Sequence, residues 1–283
     1  MTTAVDVLGA PYTAQTLESP DDYEGPVVAT LVHRPADGTP IGSVLYVHGY
    51  CDYFFQTVTA DFFANLGYDF FALDLRKHGR SLLPHQTPNF CLDLAEYFPE
   101  LDRAVQLIRE RHANSRLLLM GHSTGGLTVP LWAAVRAAAG PAAAAMILDS
   151  PWLDLPGSAF ARTAGTRAIQ RLGAARPYTV IPRTVSGAYG EALHRDYHGE
   201  WDFNLSWKPI NSFPVRAGWL RAIRLGHLAV HRGIDVGMPV LTVASTRSSE
   251  QQHYDDEAAC TDTVLDVEQI ARWAPSLGRR VTV

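Results

Sequence analysis

Six short runs of apolar and β-branched residues are spaced along this 283-residue chain, at Val27–Val32, Ser43–His48, Asp69–Leu75, Arg116–Met120, Ala144–Asp149 and Pro239–Ser245. Runs such as RLLLM and PVLTV are apolar almost throughout, which is the pattern of strands buried on both faces. Four longer stretches lie between them, Phe54–Leu66, Leu101–Arg111, Gly125–Ala138 and Val264–Ala274, and read as helices. In the last, Val264, Val267, Ile270, Ala271 and Ala274 share one face at helical spacing. Strand and helix in alternation leave few architectures, and the one expected is an α/β fold, a mostly parallel sheet with helices on both faces.

The alternation breaks between about 155 and 235, where Arg, Gly, Pro and aromatic residues dominate, Trp201, Trp207 and Trp219 among them. A structureless excursion of that length is uncommon in a compact domain. The stretch is therefore expected to be a helical cap over one end of the sheet, with 1–154 and 236–283 as the core.

Composition narrows the function. A net charge of −5 gives no basic footprint for nucleic acid. No run reaches the ~18 apolar residues of a membrane span. The amino terminus, MTTAVDVLGAPYT, has neither the basic flank nor the apolar stretch of a secretory signal. Cys51, Cys91 and Cys260 are odd in number and far apart, so they suggest no disulfide framework or metal set. The setting expected is the reduced cytoplasm, with no metal or organic cofactor and oligomeric state open.

The chemistry centres on GHSTGG, residues 121–126. Gly121-His122-Ser123-Thr124-Gly125 fits G-x-S-x-G, with a strand-like LLLM before it and a helix-like stretch after it. A sharp strand–turn–helix would lift Ser123 to a helix N-terminus, where developing negative charge is favoured. A second signal is LYVHGY, residues 45–50, a strand ending in His48-Gly49. Acyl transfer needs two backbone N–H donors for an oxyanion; Tyr50 and Thr124 are the candidates, with Gly49 allowing close approach. His48 reads as a structural histidine bonded to loop backbone.

With VHGY, FALDLRKHGRS (71–81) and LLLMGHSTGG in that order, the chain resembles the α/β-hydrolase superfamily, and within it the serine aminopeptidase / monoacylglycerol lipase-like group. The middle signature is similar to that family's D-x-R-G-H-G-x-S loop, with Lys77 where glycine is usual. The resemblance implies that Asp74, Arg76, His78, Gly79 and Ser81 are structural, shaping the floor of the site. It also implies an acid after the strand that follows the cap, in a D-x-x-V pattern, and Asp262, in Asp262-Thr263-Val264-Leu265, is taken as its counterpart. Asp255 and Asp256 are alternatives in the same loop and Asp149 a weaker one. Asp262 has a competing and compatible role as a helix N-cap.

In this fold the triad order is Ser, acid, His. All eleven histidines precede Asp262. His122 adjoins the nucleophile, but side chains on a sharp turn diverge. LGRRVTV, residues 277–283, reads as the beginning of the last strand, so the expectation is a truncated gene product whose triad histidine is missing. The alternatives are a catalytically inactive binding or regulatory relative, and a substitute histidine such as His194 or His198 in the cap. The activity expected is hydrolysis of a small carboxylic ester, esterase or acylglycerol-lipase-like, through an acyl-enzyme on Ser123. A serine aminopeptidase is the enzymic alternative. Haloalkane- or epoxide-processing relatives use a carboxylate nucleophile, and Ser123 argues against them.

Overall fold

The computed structural model describes residues 3–112, 116–157, 159–182, 187–251 and 253–283, with backbone alone for 159–164. Nine strands form one sheet among the described residues: β1 Thr3–Val5, β2 Thr13–Asp22, β3 Gly25–Arg34, β4 Gly42–Val47, β5 Tyr68–Asp74, β6 Arg116–His122, β7 Ala145–Asp149, β8 Val240–Val243 and β9 Val281–Thr282. Their spatial order is β1-β2-β3-β5-β4-β6-β7-β8-β9. The first three strands pair antiparallel, as do β3 and β5; from β5 across to β9 every pair is parallel. β4, GSVLYV, is buried at all six positions, as a central strand covered on both faces must be.

The helices are α1 Thr57–Asn65, α2 Phe98–Arg111, α3 Gly125–Arg136, α4 Ala159–Ala175, α5 Gly187–Leu193, α6 Ala217–His231 and α7 Val267–Trp273. One face of the sheet meets α2, α3 and α6 in the principal core, where Leu101, Ile108, Leu127, Trp132, Ile223 and Val230 are buried. α1 covers part of the other face with Ala60 and Phe63, against Tyr46, Phe54 and Phe70. A third, smaller cluster joins Tyr53 and Phe55 to Phe203, with Trp201 and Trp207 packed on it. No helix among the described residues is long and apolar enough to cross a membrane.

Each of the six expected strands is present, with ends moved by up to two residues. Two helices start later than their periodicity suggests, because side chains take the backbone donors first. The Asp74 carboxylate accepts from Phe54 N–H, and Gln56 Oε1 from Phe55 N–H, so α1 starts at Thr57. Asp262 accepts from Val264 and Leu265 N–H, and Asp266 then caps α7, which starts at Val267 rather than Val264. β1 and β2 are absent from the sequence reading. β2, TAQTLESPDD, buries only Leu17 and carries no alternation; its ladder with β3 makes it a strand.

Candidate active site

Ser123 follows β6 directly, and its backbone is left-handed, at φ 51°. That conformation is uncommon for a residue with a Cβ and costs about 1–3 kcal/mol. The surroundings hold it: Ser123 N–H donates to the Asp149 carbonyl at 3.0 Å, and its own carbonyl accepts from Trp152 N–H at 3.0 Å. α3 begins two residues later, with Thr124 as its N-cap residue.

Glycines let the two loops meet. A Cβ on Gly49 would stand 2.9 Å from Ser123 Cβ, 3.3 Å from Ser123 Oγ and 3.5 Å from His122 Cδ2. A Cβ on Gly121 would press on the Gly125 carbonyl at 2.8 Å. Gly125 is tighter still, its Cβ position lying 2.3 Å from the Val47 carbonyl oxygen and 2.5 Å from that of His48. Those are backbone atoms of β4 and its turn and cannot rotate away. Gly125→Ala is therefore expected to cost about 2 kcal/mol, within the usual range for overpacking. Urea unfolding would measure it, and a cost under about 0.5 kcal/mol would mean that β4 and the elbow are not in contact.

The Tyr50 and Thr124 amides flank this contact, and among the described residues neither donates to a backbone carbonyl outside regular elements. The Tyr50 ring lies 4.0 Å from the Trp219 ring on α6, and its hydroxyl donates to the Phe213 carbonyl at 3.2 Å. Trp152 stands 5.8 Å from Trp219. This gives the site an aromatic wall.

The carboxylates fall in different places. Asp262 Oδ1 accepts from Val264 N–H at 2.9 Å and Leu265 N–H at 2.7 Å. Its backbone ties to the loop after β8, through the Arg247 carbonyl and Ser249 N–H. Burial raises the Asp262 pKa against those two N–H groups, with His122 lowering it and Asp149 raising it across a shared interior. Asp255 and Asp256 are exposed, and Asp255 is engaged with Ala258 N–H. Asp149 pairs with His122, Nδ1 to Oδ2, at 3.3 Å.

That pair titrates as a unit. Burial pushes the His122 imidazole down, but Asp149, with Asp52 beyond it, pulls it above the ordinary value. Burial pushes Asp149 up, and His122 brings it below the ordinary carboxylate value. The raised imidazole contributes stability that is complete below about pH 6.5 and is lost as pH rises through its raised pKa. The lowered carboxylate contributes above about pH 4 and loses its share as pH falls through its lowered pKa. Asp149→Asn is expected to lower Tm more at pH 5.5 than at pH 9; equal losses in melts at the two pH values would contradict the pairing.

The other histidines are occupied. His48 Nδ1 donates to the Gly49 carbonyl at 2.8 Å while Nε2 accepts from Leu75 N–H at 3.0 Å, a structural role. His78 is buried with Nδ1 on the Arg76 carbonyl, and burial pushes its pKa down to about 3. His227 and His231 donate to the carbonyls of Trp152 and Leu153. His194 uses both ring nitrogens, on the Phe203 carbonyl and Asp196 N–H. His198 is exposed and stacked on Tyr254 at 4.0 Å.

Lys77, the departure from glycine in RKHGRS, keeps the left-handed backbone that glycine would favour, at φ 63°. Its ammonium is fully enclosed between Asp22 and Glu24, 2.7 Å from each, with the Tyr23 ring at 4.5 Å. The β2–β3 turn supplies all three partners. Among the described residues no group of three or more His, Cys, Asp or Glu side chains gathers as a metal set.

A family model described as serine aminopeptidase, S33, matches residues 38–198, more than half of the chain. The chain belongs to that family, within the α/β-hydrolase-fold serine hydrolases. A monoglyceride lipase from Saccharomyces cerevisiae, solved with a substrate analogue, superposes with a TM-score of 0.64 at 16% identity, covering 92% of this chain and 81% of that one. A monoacylglycerol lipase from Paleococcus ferrophilus gives 0.60 at 18% identity, with 89% and 86% covered. A thermostable carboxyl esterase from Bacillus coagulans, solved with glycerol, gives 0.63 at 13%, with 95% and 88% covered. Among curated proteins no sequence match is found.

Proposed function

We propose that the chain is a carboxylic-ester hydrolase that forms an acyl-enzyme on Ser123. The observation that carries this reading is the left-handed Ser123 with Oγ 3.3 Å from the Cβ position of Gly49. It joins the nucleophile to a turn that can supply a second oxyanion donor. Ser123 Oγ gives its proton to an imidazole that Asp262 orients and attacks the ester carbonyl; the Tyr50 and Thr124 N–H groups receive the oxyanion. Its collapse breaks the ester C–O bond and expels the alcohol with that proton, and water, deprotonated by the same imidazole, then releases the acid from Ser123. The aromatic wall of Tyr50, Trp152 and Trp219 suits an apolar acid, and the lipase and esterase neighbours support the same substrate class.

Residues 155–235 act as the cap in this reading, with Trp201 and Trp207 seated on the Tyr53–Phe55 turn and α6 rooted in the principal core. The three cysteines are free and two of them are buried, which suits a reducing, cytoplasmic setting. A second reading, a ligand-binding relative without turnover, is favoured by one observation: the histidines outside the elbow are engaged elsewhere. The discriminating experiment compares p-nitrophenyl esters with aminoacyl p-nitroanilides, with imidazole added, for the chain and Ser123→Ala. Ser123-dependent ester cleavage supports the hydrolase. Cleavage of the anilides alone would assign a peptidase, and cleavage of neither would leave the binding reading.

A further inference from the structure

Lys208 and Asp52 form an enclosed ion pair, Nζ to Oδ1 at 3.0 Å, with side chains 6% and 3% exposed. Lys208 lies between α5 and α6, and Asp52 lies two residues after Tyr50. The same ammonium reaches the Cys51 carbonyl at 3.4 Å. The rings of Phe55, Tyr189 and Phe203 surround it at 5.8, 5.2 and 5.7 Å. Lys208 is raised and Asp52 lowered in pKa, in each case with burial opposing and the partner charge prevailing, so both are ionised. A buried pair of this kind adds little net stability over a well-packed apolar replacement, and its best-attested use is to fix one arrangement among several. The arrangement here is a turn that needs fixing, since Cys51 is left-handed at φ 49°.

We propose that Lys208 and Asp52 are positioning residues, a latch by which the segment between α5 and α6 holds the Gly49–Asp52 turn and so keeps the Tyr50 amide aimed at the oxyanion site beside Ser123. The catalytic half of this proposal rests on the hydrolase reading; the latch itself does not. Lifting this segment would withdraw the ammonium, the aromatic box would open, and the turn would lose its only enclosed cationic tether among the described residues. The oxyanion site would then be complete only while this part of the chain is seated.

The cysteines provide a readout independent of turnover. Cys51 sits in the turn at 5% exposure, Cys91 is in the core at 0%, and Cys260 is exposed. In the wild-type chain iodoacetamide should label Cys260 and spare the other two, as peptide mass spectrometry would show. Lys208→Met and Asp52→Asn should each speed Cys51 labelling about thirtyfold, the mark of a local opening, with Cys91 still protected. Imidazole-assisted ester turnover should fall about 10- to 100-fold in kcat with KM little changed, because a misplaced donor acts on the transition state. Unchanged Cys51 labelling in folded variants would overturn the latch. So would Cys91 opening together with Cys51 in both variants, since the pair would then hold the whole fold. Faster Cys51 labelling in a chain without any Ser123-dependent turnover would support the latch and end the hydrolase reading instead.

Discussion

Imidazole added to the 283-residue chain is expected to raise p-nitrophenyl ester turnover by at least about tenfold over a Ser123→Ala control, and without imidazole the two proteins should turn over equally. The reason is that serine and base act as one unit: in one protease losing either costs about 10⁶ in kcat and leaves about 10³ to 10⁴ over water from oxyanion donors and binding. The proposed site supplies the serine and the two amides, while His194 and the histidines of α6 hold other carbonyls and His198 lies against Tyr254. In the proposed reading free imidazole serves as the base for Ser123, and Asp262→Asn should weaken the rescue by removing the group that orients it. Strong Ser123-dependent turnover with no imidazole would show that a histidine of the chain serves as base. His122, His194 and His198 would then be the substitutions to make.

Asp74→Ala is expected to destabilise the chain by about 4 kcal/mol, lowering Tm by roughly 10 °C. Asp74 is fully buried and takes Phe54 N–H at 2.8 Å, Arg80 Nη1 at 2.8 Å and Arg80 N–H at 3.3 Å. Arg80 is shared with Asp6, at 2.6 and 2.7 Å, so the substitution halves the counter-charge of a buried guanidinium and strands two backbone donors. The damage would start where β5 meets the turn after Tyr50. Thermal melts and urea unfolding would measure it. A loss below about 1 kcal/mol would mean that solvent reaches Arg80 and that this floor is not closed.

What could be read from the chain and what could not divides by sequence distance. GHSTGG is legible because nucleophile, glycines and flanking strand lie within a dozen residues, and the register of β6 and β7 adds only that His122 stands beside Asp149. VHGY is legible for the same reason. The Lys208–Asp52 pair is not, because its partners lie more than 150 residues apart and nothing near either residue marks it. Lys77 could be noticed as a departure from glycine, yet its explanation waits on a β2–β3 turn more than fifty residues earlier. Helices start later than periodicity predicts where Asp74, Gln56 and Asp262 compete for the first N–H groups, a contest that hydrophobic periodicity does not register.

Trapping the acyl group tests whether Ser123 is the nucleophile of an ester hydrolase. The chain would be mixed with a p-nitrophenyl ester and imidazole, quenched in acid and digested, and its peptides weighed. The added acyl mass is expected on the peptide holding Gly121–Gly126, fragmenting to Ser123, and is expected to be absent from Ser123→Ala. Acylation confined to another residue, Cys260 or a surface lysine, with Ser123 unmodified while ester is consumed, would contradict it.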